Sequence, residues 1–464
     1  MLCLARTPAR LDSSWGCLPY APEPAEPNGP AVSSPKPEVC VGRERRRRFL
    51  LPALASKLEP TLHTGASSKA GIGGKEAMFD LTEEQRAIRD SAARIMRRFD
   101  DAYWLERDRL SEFPHAFYAA MAEGGFLGIA MPEAYGGAGL GISEAAVLMM
   151  TVTDSAGAMA AASTIHLNIF GPHAIVVSGT EAQKQAFLPP LIKGLQKCCF
   201  AVTEPDAGLD TGNIATRAER KGERYHITGR KIWTSSAQEA DKIVLLARTT
   251  PKEQCARSTD GLTLFYTDLD RRRIEVREIP KMGRAAVDSN LLFIDGLEVP
   301  EEHRIGAEGE GFRCLLHSLN PERILVAAEA IGIGRNALAR AAAYARERVV
   351  FGRPIGQNQA IQHPLAQSWI ALEAAELLCR RAAWLYDQGR ECGPEANAAK
   401  YFAAEAGYEA AMQALLTHGG MGYAKEFHIE RLVREALIPR LAPVSAQLIL
   451  CYIAEKVLEL PRSY

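Results

Sequence analysis

Apolar and polar positions divide the chain into three stretches with different periods. Thr82-Glu83-Glu84-Gln85 reads as a capping box, in which hydroxyl and amide side chains satisfy each other's backbone donors. Apolar residues follow at Ile88, Ala92, Ile95, Met96 and Phe99, which is helical spacing. Further helical patterns cover 117–123, 143–154 and 181–188, with a Gly-rich turn over 131–139 between the first two. Near Cys198 the period shortens. The runs 225–228, 242–246, 262–266, 274–276 and 291–294 are β-type and separated by polar turns, which predicts an antiparallel β domain ending near Pro300. After Gly311 helical patterns return over 321–350, 359–386, 394–416, 429–437 and 445–460. Their Ala and Leu content suits close helix packing in a four-helix bundle. The expected fold is α+β and mostly α: an N-terminal helical domain (78–197), a middle antiparallel β domain (198–306) and a C-terminal four-helix bundle (307–464).

Residues 1–77 carry no such period. Prolines crowd positions 19–37, Arg45-Arg46-Arg47-Arg48 follows, and 64–74 is rich in Ser and Gly. This composition predicts a disordered extension. Its arginines suit a transit peptide, whereas Glu23, Glu26, Glu38 and Glu44 oppose one, and Met78 just before the first ordered signal favours an overlong gene model.

Composition narrows the function classes. A formal net charge of -1 removes charge-driven nucleic-acid binding, and the 47% hydrophobic content is that of a globular chain. No uninterrupted apolar run approaches the ~20 residues of a membrane span. The ten cysteines form no Cys-x-x-Cys pair, so no metal site is expected and a reducing, intracellular setting fits. The expected location is the cytoplasm of a bacterium, or the mitochondrial matrix if 1–77 is a transit peptide.

Candidate chemistry starts at Leu319-Asn320-Pro321-Glu322-Arg323, read as the opening of a long helix. A carboxylate on a rigid apolar element can act as a general base. An acid at a helix N-terminus is also what the dipole favours, and on these residues alone that reading is the stronger. Four other segments change the weighing: 200–210 (FAVTEPDAGLD), 229–235 (GRKIWTS), 348–355 (RVVFGRPI) continuing to QAIQ at 359–362, and 418–423 (HGGMGY). A flavin ring needs a flat wall and short polar groups along one edge. Trp233 offers the wall, and Thr203, Thr234 and Ser235 offer hydroxyls. Taken singly, Trp233 is a β-core aromatic, Arg348 a basic residue near a helix end, and the glycines a helix C-cap.

Together these segments resemble the acyl-CoA dehydrogenase family of flavoproteins, over 78–464. The resemblance implies FAD, with Phe200, Val202, Thr203, Trp233, Thr234 and Ser235 lining the isoalloxazine. It gives the pyrophosphate to Arg348, Phe351 and Gln359, reaching into a neighbouring subunit's site, and places Gly419, Gly420 and Gly422 beside the adenosine half. It therefore implies a homodimer or homotetramer, an acyl-CoA substrate and an electron-transfer flavoprotein or similar acceptor. Asp206, Leu209 and Leu416 depart from the family pattern, and the latter two carry no hydroxyl or amide for the cofactor. Pro443 stands where many members carry their catalytic Glu, and proline has no acid group. Isovaleryl-CoA and long-chain acyl-CoA dehydrogenases instead carry it on the long helix directly before an Arg, which Glu322-Arg323 matches. Glu204 and Glu435 are weaker candidates. The implied reaction is FAD-dependent α,β-dehydrogenation with Glu322 as base. Alternatives are an oxidase or monooxygenase of the same fold acting on a small non-CoA compound, or a non-catalytic acyl-CoA- or flavin-binding protein.

Overall fold

The computed structural model describes residues 80–463, so the expectation for 1–77 lies outside the described residues. The N-terminal domain is built from α1 (Glu83–Met96), α2 (Asp101–Leu110), α3 (His115–Glu123), α4 (Ile142–Thr153), α5 (Ala158–Phe170), α6 (His173–Ser178) and α7 (Glu181–Ile192). The capping box forms: Thr82 Oγ1 accepts from Gln85 N at 3.1 Å and Gln85 Oε1 from Thr82 N at 3.2 Å. Ile88, Ala92 and Met96 of the predicted face are buried.

The middle domain follows as β1 (Cys198–Ala201), β2 (Arg217–Lys221), β3 (Arg224–Ser235), β4 (Lys242–Arg248), β5 (Leu262–Asp268), β6 (Ile274–Glu278), β7 (Ser289–Pro300) and β8 (Arg304–Ile305). Its sheet runs β6-β7-β3-β2-β4-β5-β8, with β1 joined to β4. The pairing is mainly antiparallel, as expected, except that β1 runs parallel to β4 and β2 meets β4 through a parallel bridge at Arg217. A parallel partner needs a crossover from outside the hairpin sequence. Here β1 arrives directly from the helical domain, so local alternation carries no signal of its direction.

The C-terminal part holds α8 (Gly311–Glu347), the hairpin strands β9 (Val349–Val350) and β10 (Arg353–Pro354), α9 (Gln359–Asp387), α10 (Gly393–His418), α11 (Gly420–Tyr423), α12 (Ile429–Ala436), α13 (Ile438–Leu441) and α14 (Ala446–Lys456). The long helix begins ten residues before the expected start, so Glu322 lies within α8 and not at its mouth, and Pro321 is inside the helix. Proline removes the hydrogen bond to the carbonyl four residues earlier. That carbonyl, on His317, accepts instead from Tyr386 Oη of α9 at 3.4 Å. The freed acceptor is therefore satisfied from a neighbouring helix, and the helix continues.

One apolar core unites α1, α3, α4 and α5 with α8, α9 and α10, so the helices on either side of the β domain share an interior. Close approach depends on small residues. A Cβ at Gly407 of α10 would lie 2.2 Å from the carbonyl oxygen of Ala330 in α8. Backbone cannot yield as a flexible side chain can. Gly407→Val is expected to cost about 3 kcal/mol or more through overpacking, read as a lowered urea midpoint; an unchanged midpoint would show that the two helices can separate freely.

Two stretches are apolar and long enough for a bilayer by composition, Ala158–Ser178 and Ile429–Lys456. In the first, 72% of the most apolar window is buried in the core. The second is interrupted by extended backbone at Ala442 and Ser445, so it is not one continuous helix.

Candidate active site

The strand β1 and the loop after it are laced to β3. Ile232 N donates to Thr203 O at 2.9 Å, and Lys231 Nζ donates to Val202 O at 3.0 Å and to Glu204 Oε1 at 2.8 Å. Glu204 also accepts from the backbone amides of Ala215 and Thr216. Burial acts against the charge of Glu204, but Lys231 and these donors outweigh it and lower its pKa. Glu204 is thus a structural acid that holds the loop. Lys231 is fully buried, and desolvation brings its pKa down to about 8. Lys231→Met would leave the Glu204 carboxylate buried without its cation. We expect a loss of about 3–5 kcal/mol, towards the low end because two amide donors remain, together with weaker FAD retention. An unaltered denaturation midpoint would contradict this account of the loop.

This lacing brings together Phe200, Val202, Thr203, Trp233, Thr234 and Ser235. A register shift between Lys231 and Thr234 marks a bulge against β7. Trp233 sits in it with φ +60° and is 57% exposed. A bulge re-aims a side chain; Trp233 is therefore not the β-core aromatic of the simpler reading. Thr234 is buried and its Oγ1 has no partner within the chain. Ser235 Oγ accepts from Arg284 Nη2 at 3.1 Å. An exposed indole, an orphan buried hydroxyl and a serine held by a cation fit the wall and polar edge that a flavin ring requires.

Glu322 lies on α8. Leu319, about one turn earlier, packs in the same apolar cluster as Phe200 and Val202. Desolvation raises the pKa of Glu322 to about 7, against the opposing pull of His166 and Arg323. His166 of α5 lies between the two parts. Its Nδ1 is 2.6 Å from Glu329 Oε1, a contact too poorly aligned to count as a hydrogen bond. Its ring is 4.6 Å from Phe170, which is 5.5 Å from Phe200. Burial opposes the charge of His166, yet Glu329 outweighs it and the pKa lies above that of ordinary imidazole. Glu435 is buried 3.3 Å from Arg431 and accepts from Ala160 N, a structural role.

The remaining predicted residues form a second, separate group. Arg348 caps α8, Phe351 is fully exposed at φ +53° in the β9–β10 hairpin, and Gln359 opens α9. Gly419 caps α10 and Gly420 opens α11, next to the point where His418 stacks on Tyr344 of α8 at 4.2 Å. Among the described residues, no hydrogen bond or ion pair joins this group to the β1–β3 surface. Leu209 and Leu416 are exposed and outside the core. The sequence reading missed Lys231, His166, Arg284 and Glu329 as site groups. Only Glu329 carried a legible signal, since seven residues after Glu322 is two turns along one helix face.

A half-buried carboxyl and a sheet surface with the wall and polar edge for a flat cofactor define the class of site, that of a flavoprotein. Family models agree on the class. Those for the N-terminal, middle and C-terminal domains of acyl-CoA dehydrogenase match residues 82–195, 199–297 and 309–455. An acyl-CoA dehydrogenase of Mycobacterium tuberculosis is 35% identical over 395 residues, covering 84% of this chain and 100% of that protein. The caffeyl-CoA reductase–Etf complex subunit CarC of Acetobacterium woodii is 34% identical over 334 residues, covering 72% and 87%. The solved butyryl-CoA dehydrogenase of Megasphaera elsdenii superposes with a TM-score of 0.78 at 28% identity, covering 82% of this chain and 99% of that one. The chain belongs to the acyl-CoA dehydrogenase family, and is an FAD-carrying oxidoreductase.

Proposed function

We propose that the protein catalyses α,β-dehydrogenation of an acyl-CoA thioester to the 2-enoyl-CoA, with Glu322 as the base. One observation carries the assignment: a carboxyl with its pKa raised to about 7 stands about one turn from Leu319, which packs against the same apolar cluster as Phe200 and Val202 of the flavin-lining segment. The α-proton of a thioester is weakly acidic, so a positioned base with a pKa near neutrality combines ionisation with proton affinity. Glu322 removes that proton and retains it on its carboxyl. Phe200, Val202, Thr203, Trp233, Thr234 and Ser235 would hold the isoalloxazine of FAD. Bound FAD supplies the two-electron acceptor for the β-hydrogen.

Arg348, Phe351, Gln359, Gly419 and Gly420 are assigned to the rest of FAD in a neighbouring subunit. Their exposure and their separation from the β1–β3 surface support that reading, as do the exposed Trp369, Ile370, Leu377 and Trp384 on α9. A homodimer or homotetramer follows from it. An electron-transfer flavoprotein-type acceptor is supported by the relative that is a subunit of a reductase–Etf complex. The same relative is a reductase, and a group with a pKa near 7 can deliver a proton as readily as it removes one. Enoyl-CoA reduction is therefore the second reading.

The deciding experiment is anaerobic mixing of the FAD-loaded protein with a panel of acyl-CoAs, and of the reduced protein with the matching enoyl-CoAs. Bleaching of the flavin by at least one acyl-CoA is expected. A panel of short, long, branched and aryl acyl-CoAs that leaves the spectrum untouched would sink the dehydrogenase reading.

A further inference from the structure

We propose that Arg284 is a flavin-tuning residue, a cation placed behind Ser235 to offset the negative charge that the isoalloxazine gains on reduction. The inference rests on the flavin reading above and adds a residue to it.

Arg284 lies in the connection between β6 and β7. Its Nη1 donates to Ser163 Oγ at 3.1 Å, and its Nη2 donates to Ser235 Oγ at 3.1 Å and to Ser289 Oγ at 2.9 Å. Three different elements thus hold one guanidinium. Its backbone is in the left-handed region, φ +57°, which a side chain with a Cβ occupies only when the surroundings impose it. The Nε is without solvent access and without a partner.

Among the described residues no carboxylate lies within 4.0 Å of this guanidinium. The acids close enough to act on it are Glu435, Glu329 and Asp288, and each is engaged elsewhere. Glu435 faces Arg431, Glu329 faces His166, and Asp288 accepts from Gln238 N and Asn290 Nδ2. Lys281 adds positive charge nearby. Arginine does not lose its proton in proteins, so this is a half-buried cation whose direct partners are neutral hydroxyls. Such a charge is expensive unless an anion completes its surroundings.

Ser235 shows where that anion belongs. Its oxygen accepts from Arg284, so its own O–H points away from the guanidinium and is free to donate to the ring edge. Charge near a flavin's polar edge is a principal means by which a protein sets its electronics. Arg284 would act through Ser235 and through its field, without touching substrate.

The test uses the full-length FAD-loaded protein, with Arg284→Met and Arg284→Lys. Arg284→Met is expected to retain FAD in wild-type stoichiometry but to bind sulfite at the flavin at least about tenfold more weakly. Its flavin reduction equilibrium should also be about tenfold less favourable, equivalent to a midpoint potential about 30 mV more negative. Arg284→Lys, which keeps the charge, is expected to stay close to wild type in both. A purely structural arginine would lower stability without moving either readout. If Arg284→Met does not fold, Arg284→Gln keeps hydrogen bonding without charge and carries the same expectation. Unchanged sulfite affinity and potential in a folded neutral variant overturn the proposal, and so does failure of every neutral variant to fold. A wild-type protein that takes up no FAD would instead bring down the flavin reading itself.

Discussion

Glu322→Gln is expected to bind FAD normally and to lose about 10²–10⁴-fold in the rate of flavin reduction by acyl-CoA, the range a positioned general base contributes. The amide keeps the shape of the side chain and removes only its basicity. Pro443 removes the alternative position, and Glu204, Glu435 and Glu329 are engaged by Lys231, Arg431 and His166, so none of these three is expected to substitute. For the wild type, kcat/KM should rise with pH through about 7 and then level, because the ionised carboxylate is the active form. Stability should move the other way. Burial raises the Glu322 pKa from 4.5 to about 7, so the folded state binds this proton more tightly than the unfolded state. Its contribution is most favourable below about 4.5 and declines as pH rises towards 7. Glu322→Gln should therefore be more stable than wild type at pH 8, by at most about 3.5 kcal/mol at ~1.4 kcal/mol per pKa unit, and equal to it near pH 4. Stopped-flow reduction and denaturant curves at the two pH values check both halves. Full turnover by the variant would remove Glu322 from the mechanism.

The fold was largely legible because its long helices and strands keep their periods. Of the helices with one wet face, α9 stands within a residue of its expected position, and α1 starts at its capping box but ends at Met96, three residues before Phe99. The helix α5 was missed for the opposite reason. Nearly every residue from Ala158 to Phe170 is buried, so no polar face marks the period. That loss mattered, since α5 carries Ser163 and His166, which connect Arg284 to the Glu322–Glu329 face of α8. Pro321 misplaced the start of α8, because the sequence cannot show that Tyr386 takes over the freed carbonyl. The flavin-lining segments were legible as motifs. The buried ionic groups behind them were not, because Lys231 and Arg284 meet their partners only through tertiary packing.

Arg348→Ala alone is expected to yield a folded protein that loses FAD and activity, and its mixture with Glu322→Gln should recover what neither has. If each site takes Glu322 and the β1–β3 surface from one subunit and Arg348 from its neighbour, a mixed pair has one doubly altered site and one intact site. Random pairing in a two-fold dimer then restores about a quarter of wild-type activity. If Arg348 serves its own subunit's site, every site in every pair carries one lesion and the mixture stays inactive. The geometry favours recovery. Arg348 caps α8 beside the exposed hairpin of Phe351, with no described hydrogen bond or ion pair to the β1–β3 surface of its own chain. An arginine at an exposed helix end, followed by an uncovered phenylalanine, makes little sense inside one subunit. It suits reaching a phosphate across an interface, where a guanidinium can bind in a bidentate way. Co-expression with two different affinity tags and purification of the mixed pair would raise the expected activity to about half, while FAD content stays at about half in both samples because Glu322→Gln pairs keep theirs.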